Sequence, residues 1–144
     1  MYGDTEVIRA LARTVRGHGA TIHAEAGLLL ARAEATPWEG LAAEAMRLRV
    51  RTQVLALRRT AQLHKDAATA LERHADDVDR LKALIAAIEH KVMALVEAAR
   101  GRLSGLAGLL DTVLPDPVDE LLARFVPPPS GHRDWLTVDL PGLS

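Results

Sequence analysis

Along the first quarter of the chain, apolar positions recur every seven residues, with polar positions between them. One apolar row consists of Ile8, Val15, Ile22 and Leu29. The row beside it consists of small residues, namely Ala12, Gly19, Ala26 and Ala33. This period indicates an amphipathic helix, which we predict from Thr5 to Ala35. The small row favours close approach of a second helix. Alternatively, Gly17 and Gly19 mark a weak point, because each costs about 1 kcal/mol of helix propensity relative to Ala.

The residues from Ala35 to Gly40 predict the end of one helix and the start of another. Pro37 disfavours helical geometry at Thr36 and lacks a backbone N–H, so the first helix stops before it. Thr36 then suits the N-cap of the second helix, and Glu39 completes a capping box three residues later. A connection this short joins neighbouring helices in an antiparallel hairpin.

The second helix is predicted to be long. Fifteen positions at spacings of three and four run from Met46 to Leu95, and eleven of them are apolar. Neither Gly nor Pro occurs between Gly40 and Gly101. A continuous helix of this length reaches roughly 95 Å, about twice the length of the first. Its far half, from Val78 to Leu95, therefore needs a cover. A bend near residues 74–77, a second chain, or downstream segments that fold back would each supply one.

A two-helix hairpin cannot bury all of this apolar surface, and a second hairpin docked against it would give a four-helix bundle. We therefore predict a partner interface on both helices. Its residues are Ile8, Val15, Ile22, Leu29, Leu57, Leu71, Val78, Leu81, Ile85, Ile88, Val92 and Leu95.

Glycine and proline organise the last third of the chain. Gly101 and Gly105 loosen the second helix, and Asp116 is a candidate cap for a short helix from Val118 to Phe125. Three prolines at 127–129 begin an extended tail, in which Trp135 and Leu136 are candidates for docking on the helices. We predict an all-α fold divided into a helical hairpin (1–102), short helices packed on its overhang (103–125) and a Pro-rich tail (126–144).

Composition narrows the function classes. The chain has 144 residues, a net charge of −1 and no cysteine, which excludes a disulfide scaffold, a zinc–thiolate site and a thiol nucleophile. Basic residues concentrate in 41–75 and acidic residues in 103–144. The tail therefore either folds back on the basic segment or the two segments meet separate partners. The basic segment lacks interleaved aromatic residues, so we expect no nucleic-acid partner.

No catalytic motif occurs in the sequence, and we predict no enzyme, no cofactor and no metal site. His64 and His74 are ten residues apart, about 15 Å along a helix, which is too far to share an ion. Both lie on the apolar stripe, and we hypothesise that their protonation weakens association at acid pH. The N-terminus lacks the basic and apolar regions of a signal peptide, and no apolar run approaches the ~20 residues that span a bilayer.

The turn and the start of the second helix resemble a known family. The segment is Trp38-Glu39-Gly40-Leu41-Ala42-Ala43-Glu44-Ala45-Met46. It is similar to the WxGxAAxAF pattern of the WXG (ESAT-like) superfamily of type VII secretion systems, and the resemblance covers about residues 5–100. It implies hairpins that pair as dimers, with Trp38, Glu39 and Gly40 forming part of a surface that the export machinery reads.

Two features depart from that family. The second helix is longer and a tail follows it. The family's Tyr-x-x-x-Asp/Glu signal after the hairpin is missing, since its only match is Tyr2 to Glu6 at the other end of the chain. The resemblance therefore implies a helper that pairs with a partner carrying the signal.

These expectations combine into one function. We expect a non-enzymatic, dimerising secreted substrate or escort of a partner effector, cytoplasmic before export and then secreted or at the cell surface, without a signal peptide. Its partners would be another helical protein or a second copy, and the secretion machinery; we expect no membrane contact. The alternatives are a homodimeric helical binding module with no secretion role, and a membrane-active helical effector.

Overall fold

The computed structural model describes residues 3–108 and 114–144. Helix α1 spans Thr5–Ala35, α2 spans Leu41–Leu106 and α3 spans Pro117–Ala123, and a 3₁₀ helix covers Arg133–Thr137. No strand occurs within the described ranges, which confirms the all-α prediction. The chain divides into a hairpin unit, Asp4–Val78, and a C-terminal unit, Asp79–Ser144 together with Gly3.

The bounds of α1 match the prediction because both ends are capped by side chains. Asp4 is the N-cap, and its carboxylate accepts a hydrogen bond of 2.9 Å from the Glu6 N–H. At the other end, the Thr36 hydroxyl and its backbone N–H both donate to the Arg32 carbonyl, at 2.7 and 3.1 Å. These bonds satisfy groups that the end of a helix leaves without an intrahelical partner.

The capping box predicted for α2 is wrong. Thr36 is already occupied as the C-cap of α1, so its hydroxyl is not available to α2. Gly40 has a φ of +104°, a conformation that no helical residue adopts, and the first turn of α2 closes through the Glu44 N–H to the Gly40 carbonyl at 3.1 Å. Helix α2 therefore starts at Leu41, after the glycine, and not at Pro37.

Small side chains alone form the centre of the hairpin unit. On α1 the buried positions repeat every seven residues, at Thr5, Ala12, Gly19, Ala26 and Ala33. On α2 the buried positions are Ala43, Val54, Ala61, Ala68 and Ala75. The largest of these is a valine, which sets a small separation between the two helix axes.

Gly19 is a close-packing point. A Cβ atom built on it would lie 2.9 Å from the Ala61 carbonyl oxygen and 3.1 Å from His64 Cβ, whereas one built on Gly17 meets nothing within 4 Å. Of the two alternatives for Gly19, close packing is therefore the correct one, and α1 runs through both glycines without a break.

The C-terminal unit has a different core. Ile85, Val92 and Val96 of α2 are fully buried against Trp135, and the half-buried side chains around them are Leu81, Ile88, Met93, Phe125, Val138, Leu140 and Leu143. The chain's own tail thus supplies the cover that the far half of α2 needs. Within the tail that was predicted to be extended, Arg133–Thr137 form the 3₁₀ helix, which His132 caps by accepting from the Asp134 N–H at 3.2 Å.

Helix α2 continues through Gly101 and Gly105, where loosening was predicted. Helix α3 begins one residue earlier than predicted and ends two residues earlier, with Asp116 as the predicted cap, accepting from the Val118 N–H at 2.9 Å. Residues 109–113 of the segment predicted to hold short helices lie outside the described ranges.

Candidate functional site

The turn between α1 and α2 presents the motif residues at the surface. Trp38, Glu39 and Gly40 are all exposed, and 49% of the Trp38 surface is accessible. The Trp38 N–H donates to the Thr36 carbonyl at 2.8 Å, which makes the turn tight. Because Gly40 has a positive φ, this position favours glycine over any residue with a Cβ. The glycine of the motif therefore has a conformational reason, while the tryptophan is free to contact another molecule.

Arg47 holds the turn in place. Its Nη2 donates to the carbonyls of Thr36 and Trp38 at 2.9 and 2.6 Å, and its Nε donates to the Ala33 carbonyl at 3.4 Å. A basic group at these carbonyls also suits the negative end of the α1 dipole. This role was not predicted, because the basic residues of 41–75 were considered only as a group. An arginine two turns into the second helix of a hairpin, opposite the end of the first, is the signal that would have found it.

One side of the hairpin unit carries ion pairs between the helices. They are Arg9–Asp76 at 2.9 Å, Arg16–Glu72 at 3.0 Å and Arg51–Glu34 at 2.7 Å. All six side chains are partly exposed, so each pair contributes about 0–1 kcal/mol. Their main effect is to fix the antiparallel register, since they join the start of α1 to residues near 76 and its end to Arg51.

The opposite side of the hairpin unit is apolar, and we call it the apolar side. It consists of Ile8, Val15, Ile22, Leu29, Leu57, Leu71 and Val78, each three residues after a position of the buried row. Residues at this offset on two antiparallel helices share one side of the pair. Leu29 is 37% exposed and the other six are half-buried. The hairpin part of the predicted interface thus lies together on one open side.

In the C-terminal unit, the chain itself covers part of the predicted partner interface. Ile85 and Val92 are fully buried, while Leu81, Ile88 and Leu95 are half-buried. A partner reaches Ile85 and Val92 only if the tail leaves them. Of the two candidates for tail docking, Trp135 is 1% exposed and docks, whereas Leu136 is 39% exposed and faces away from the core.

The two histidines of the apolar stripe have different environments. His64 is half-buried and its Nδ1 donates to the Thr60 carbonyl at 2.8 Å, whereas His74 is exposed. His64 lines an open depression on the apolar side together with Val15, His18, Leu63 and Ala67. His64 and His18 therefore lie close together on the apolar side.

A bidentate ion pair anchors α3 to α2. Arg102 donates from Nε and Nη2 to the two carboxylate oxygens of Asp119, at 2.8 and 2.7 Å. Asp119 is buried, and the hydrogen bonds from Arg102 hold the pKa of its carboxyl below the usual range of an aspartate. This ion pair has a structural role, because each charged group is paired with the other and together they join α3 to α2.

Within the described ranges, no three His, Asp or Glu side chains converge as a metal site would require. No helix in the same ranges is both long and apolar enough to cross a membrane. Comparison of the chain with protein-family models, with curated proteins and with solved structures finds no match. The resemblance to the WXG superfamily therefore rests on the turn and on the residues of α2 that follow it.

Proposed function

We propose that this chain is a non-enzymatic helical protein, similar to the WXG proteins of type VII secretion systems. It binds a helical partner through the apolar side of the hairpin unit and accompanies that partner as a secreted substrate or escort. The observation that carries the proposal is the distribution of side chains by size. Small residues, with one threonine and one valine, fill the hairpin core, while seven larger aliphatic residues line one open side in two facing rows.

The energetics of burial support a partner on this side. The seven side chains are already largely buried, so completing the burial of each contributes roughly 0.5 kcal/mol. Together they contribute about 3–4 kcal/mol gross, to which the apolar surface that the partner buries is added before the costs of association are subtracted. The charged side chains that form the ion pairs on the other side offer no such gain, because they are already solvated.

The chemistry of the apolar side suits a helical partner with an apolar stripe of its own. Between Met46 and Val78, the positions that follow the three-four spacing on α2 contain no Asp, Glu, Lys or Arg. They are Met46, Val50, Gln53, Leu57, Thr60, His64, Ala67, Leu71, His74 and Val78. A face without formal charge attracts neither nucleic acid nor a strongly charged protein, and two rows of aliphatic side chains accommodate a second helical pair in a four-helix bundle.

Co-expression with the product of a neighbouring gene, followed by co-purification, tests the pairing. Val15→Glu places a charge in the middle of the apolar side and should abolish co-purification. Leu48→Glu is the matched control, because Leu48 is 64% exposed and lies away from the apolar side. Retention of the partner by Val15→Glu, with helicity unchanged by circular dichroism, would refute the assignment of this surface. A stable dimer of the chain alone, with no partner captured, would instead favour the homodimeric module.

The role of the turn in export is tested separately. Trp38→Ala removes a half-exposed ring whose backbone is held by Arg47, so folding should be preserved while export through a type VII system is lost. Leu41→Ala is the control, because Leu41 is 88% exposed and lies outside the Trp-x-Gly motif. Unchanged export of Trp38→Ala would remove the secretion part of the proposal and leave the pairing part standing.

A further inference from the structure

The end of the chain contains a segment with its own internal hydrogen bonds, residues 129–143, which we call the tail knot. The Pro129 carbonyl accepts from the His132 N–H and from the Trp135 Nε1, both at 3.0 Å. The Thr137 hydroxyl donates to the Asp134 carbonyl at 2.9 Å, beside the His132 cap already described. These bonds close inside the knot and do not depend on α2. The knot therefore has an internal reason to keep its shape, with the Trp135 ring projecting from it.

The knot sits on one stretch of α2, which we call the seat, residues 85–96. Trp135 fills the apolar part of the seat against Ile85, Val92 and Val96. Polar contacts lie at the edges, where the Gly131 N–H donates to Glu89 Oε2 at 3.2 Å and Lys91 Nζ donates to the Leu143 carbonyl. Both edge bonds are exposed, so water can replace either of them at little cost. The knot is thus held mainly by apolar contacts, with the fully buried Trp135 ring at their centre and Val138, Leu140 and Leu143 half-buried around it.

The connection that precedes the knot is stiff. Pro127, Pro128 and Pro129 have no backbone N–H and cannot donate main-chain hydrogen bonds. A proline run favours an extended, semi-rigid conformation. A stiff connection of this kind can carry the tail knot to α2 of its own chain or to α2 of a second copy. The same contacts then form within one chain or between two.

We propose that the seat is a binding surface for the tail knot as a separable ligand, and that it accepts the knot of a second copy of this chain. The two chains then exchange knots, and each seat is filled by the partner's Trp135. This exchange uses the C-terminal unit only and is independent of pairing through the apolar side.

The concentration at which exchange occurs follows from the shared contacts. Docking within one chain and docking between chains bury the same surfaces, so the two differ chiefly in effective concentration. A short linker gives an effective concentration in the millimolar range. Exchange should therefore be rare in dilute protein and frequent after co-refolding at about 1 mM chain.

Full-length single-cysteine variants test the exchange directly, since the chain has no native cysteine. Lys91→Cys on the seat and Leu143→Cys on the knot are mixed, co-refolded at high concentration and treated with a short bis-maleimide. A covalent dimer of one chain of each kind is expected, because Lys91 and the Leu143 carbonyl are in contact when the knot is docked. The control pair is Lys91→Cys with Leu136→Cys, since Leu136 faces away from the core. Equal yields from the two pairs would overturn the proposal.

Within each chain, the chain's own tail knot competes with the knot of a second copy for the seat. A complementation experiment removes this competition. Trp135→Ala is added to the Lys91→Cys chain to empty its seat, and Val92→Asp is added to the Leu143→Cys chain to release its knot. Mixing should now give several-fold more covalent dimer than the unmodified pair, without co-refolding. Circular dichroism of each chain establishes that α2 is retained. Helical chains that give no dimer above the Leu136→Cys control would refute docking between copies.

Discussion

Two glycines on the same helix should respond to the same substitution with opposite sign. Gly17→Ala and Gly19→Ala both replace a helical glycine and both gain about 1 kcal/mol of helix propensity. At Gly17 the new methyl group meets open space, so the full gain should appear as increased stability. At Gly19 the methyl group would lie 2.9 Å from the Ala61 carbonyl oxygen, which belongs to the backbone of the facing helix and cannot rotate away.

The size of the difference follows from the cost of overpacking. Forcing a methyl group into a filled interface costs about 1–3 kcal/mol, because the facing helices must separate. The propensity gain is common to both variants, so subtracting one from the other isolates the packing cost. Gly19→Ala should therefore be less stable than Gly17→Ala by about 1–3 kcal/mol.

Urea denaturation followed by circular dichroism measures this difference, with both variants at one protein concentration so that any association affects them equally. Similar midpoints for Gly17→Ala and Gly19→Ala would refute the close approach of the helices at this point. A change in the denaturant slope of only one variant would show that its denatured or native state differs from that of the other variant. Gly19→Ser would then replace Gly19→Ala in the comparison, because its added Cβ meets the same Ala61 carbonyl.

Three further predictions concern other parts of the chain. Trp135→Ala should destabilise the C-terminal unit by about 3–5 kcal/mol through the cavity it leaves, whereas Leu136→Ala should change stability by less than about 0.5 kcal/mol. Thermal denaturation compares the two variants, and equal effects would contradict the burial of Trp135. Gly40→Ala should cost about 1–2 kcal/mol because its φ of +104° suits glycine, and an unchanged melting temperature would show that the turn has another conformation. Arg102 lowers the pKa of Asp119, so the ion pair stabilises the fold above about pH 4, and this stabilisation is lost as the pH falls further and the carboxylate is protonated. Asp119→Asn has no carboxylate to protonate, so it should lose less stability than the parent chain between about pH 7 and pH 3. Equal losses in the two chains would contradict this.

The sequence was most informative where local chemistry acts alone. The heptad rows predicted α1 closely, and the cap at Asp116 predicted α3 closely because a cap depends on a side chain and the backbone two residues away. Thr36 shows the limit of this reasoning. Its hydroxyl suits the end of one helix and the start of the next, and only the positive φ of Gly40 decides between them.

Features that join distant parts of the chain were not predictable in the same way. The role of Arg47 depends on carbonyls nine to fourteen residues away, which face it only after the hairpin has closed. The 3₁₀ helix at Arg133–Thr137 forms where Trp135 meets α2, and a tail rich in proline carries no periodic signal for it. Of the candidate site, the motif residues, the apolar rows and the docking of Trp135 were identified from the sequence, while the burial of Ile85 and Val92 beneath the tail was not.

The all-small core of the hairpin separates what shapes the fold from what meets other molecules. Near Gly19 the backbones of the two helices are already in close contact, so the buried positions there tolerate little beyond Gly and Ala. The aliphatic residues of the apolar side contribute little to that contact, so they can be exchanged among Val, Ile, Leu and Met while the two helices keep their spacing. Substitutions on the apolar side alone can therefore change the binding partner without changing the fold. The hairpin is suited to serve as a constant scaffold for a library of variants that bind different partners.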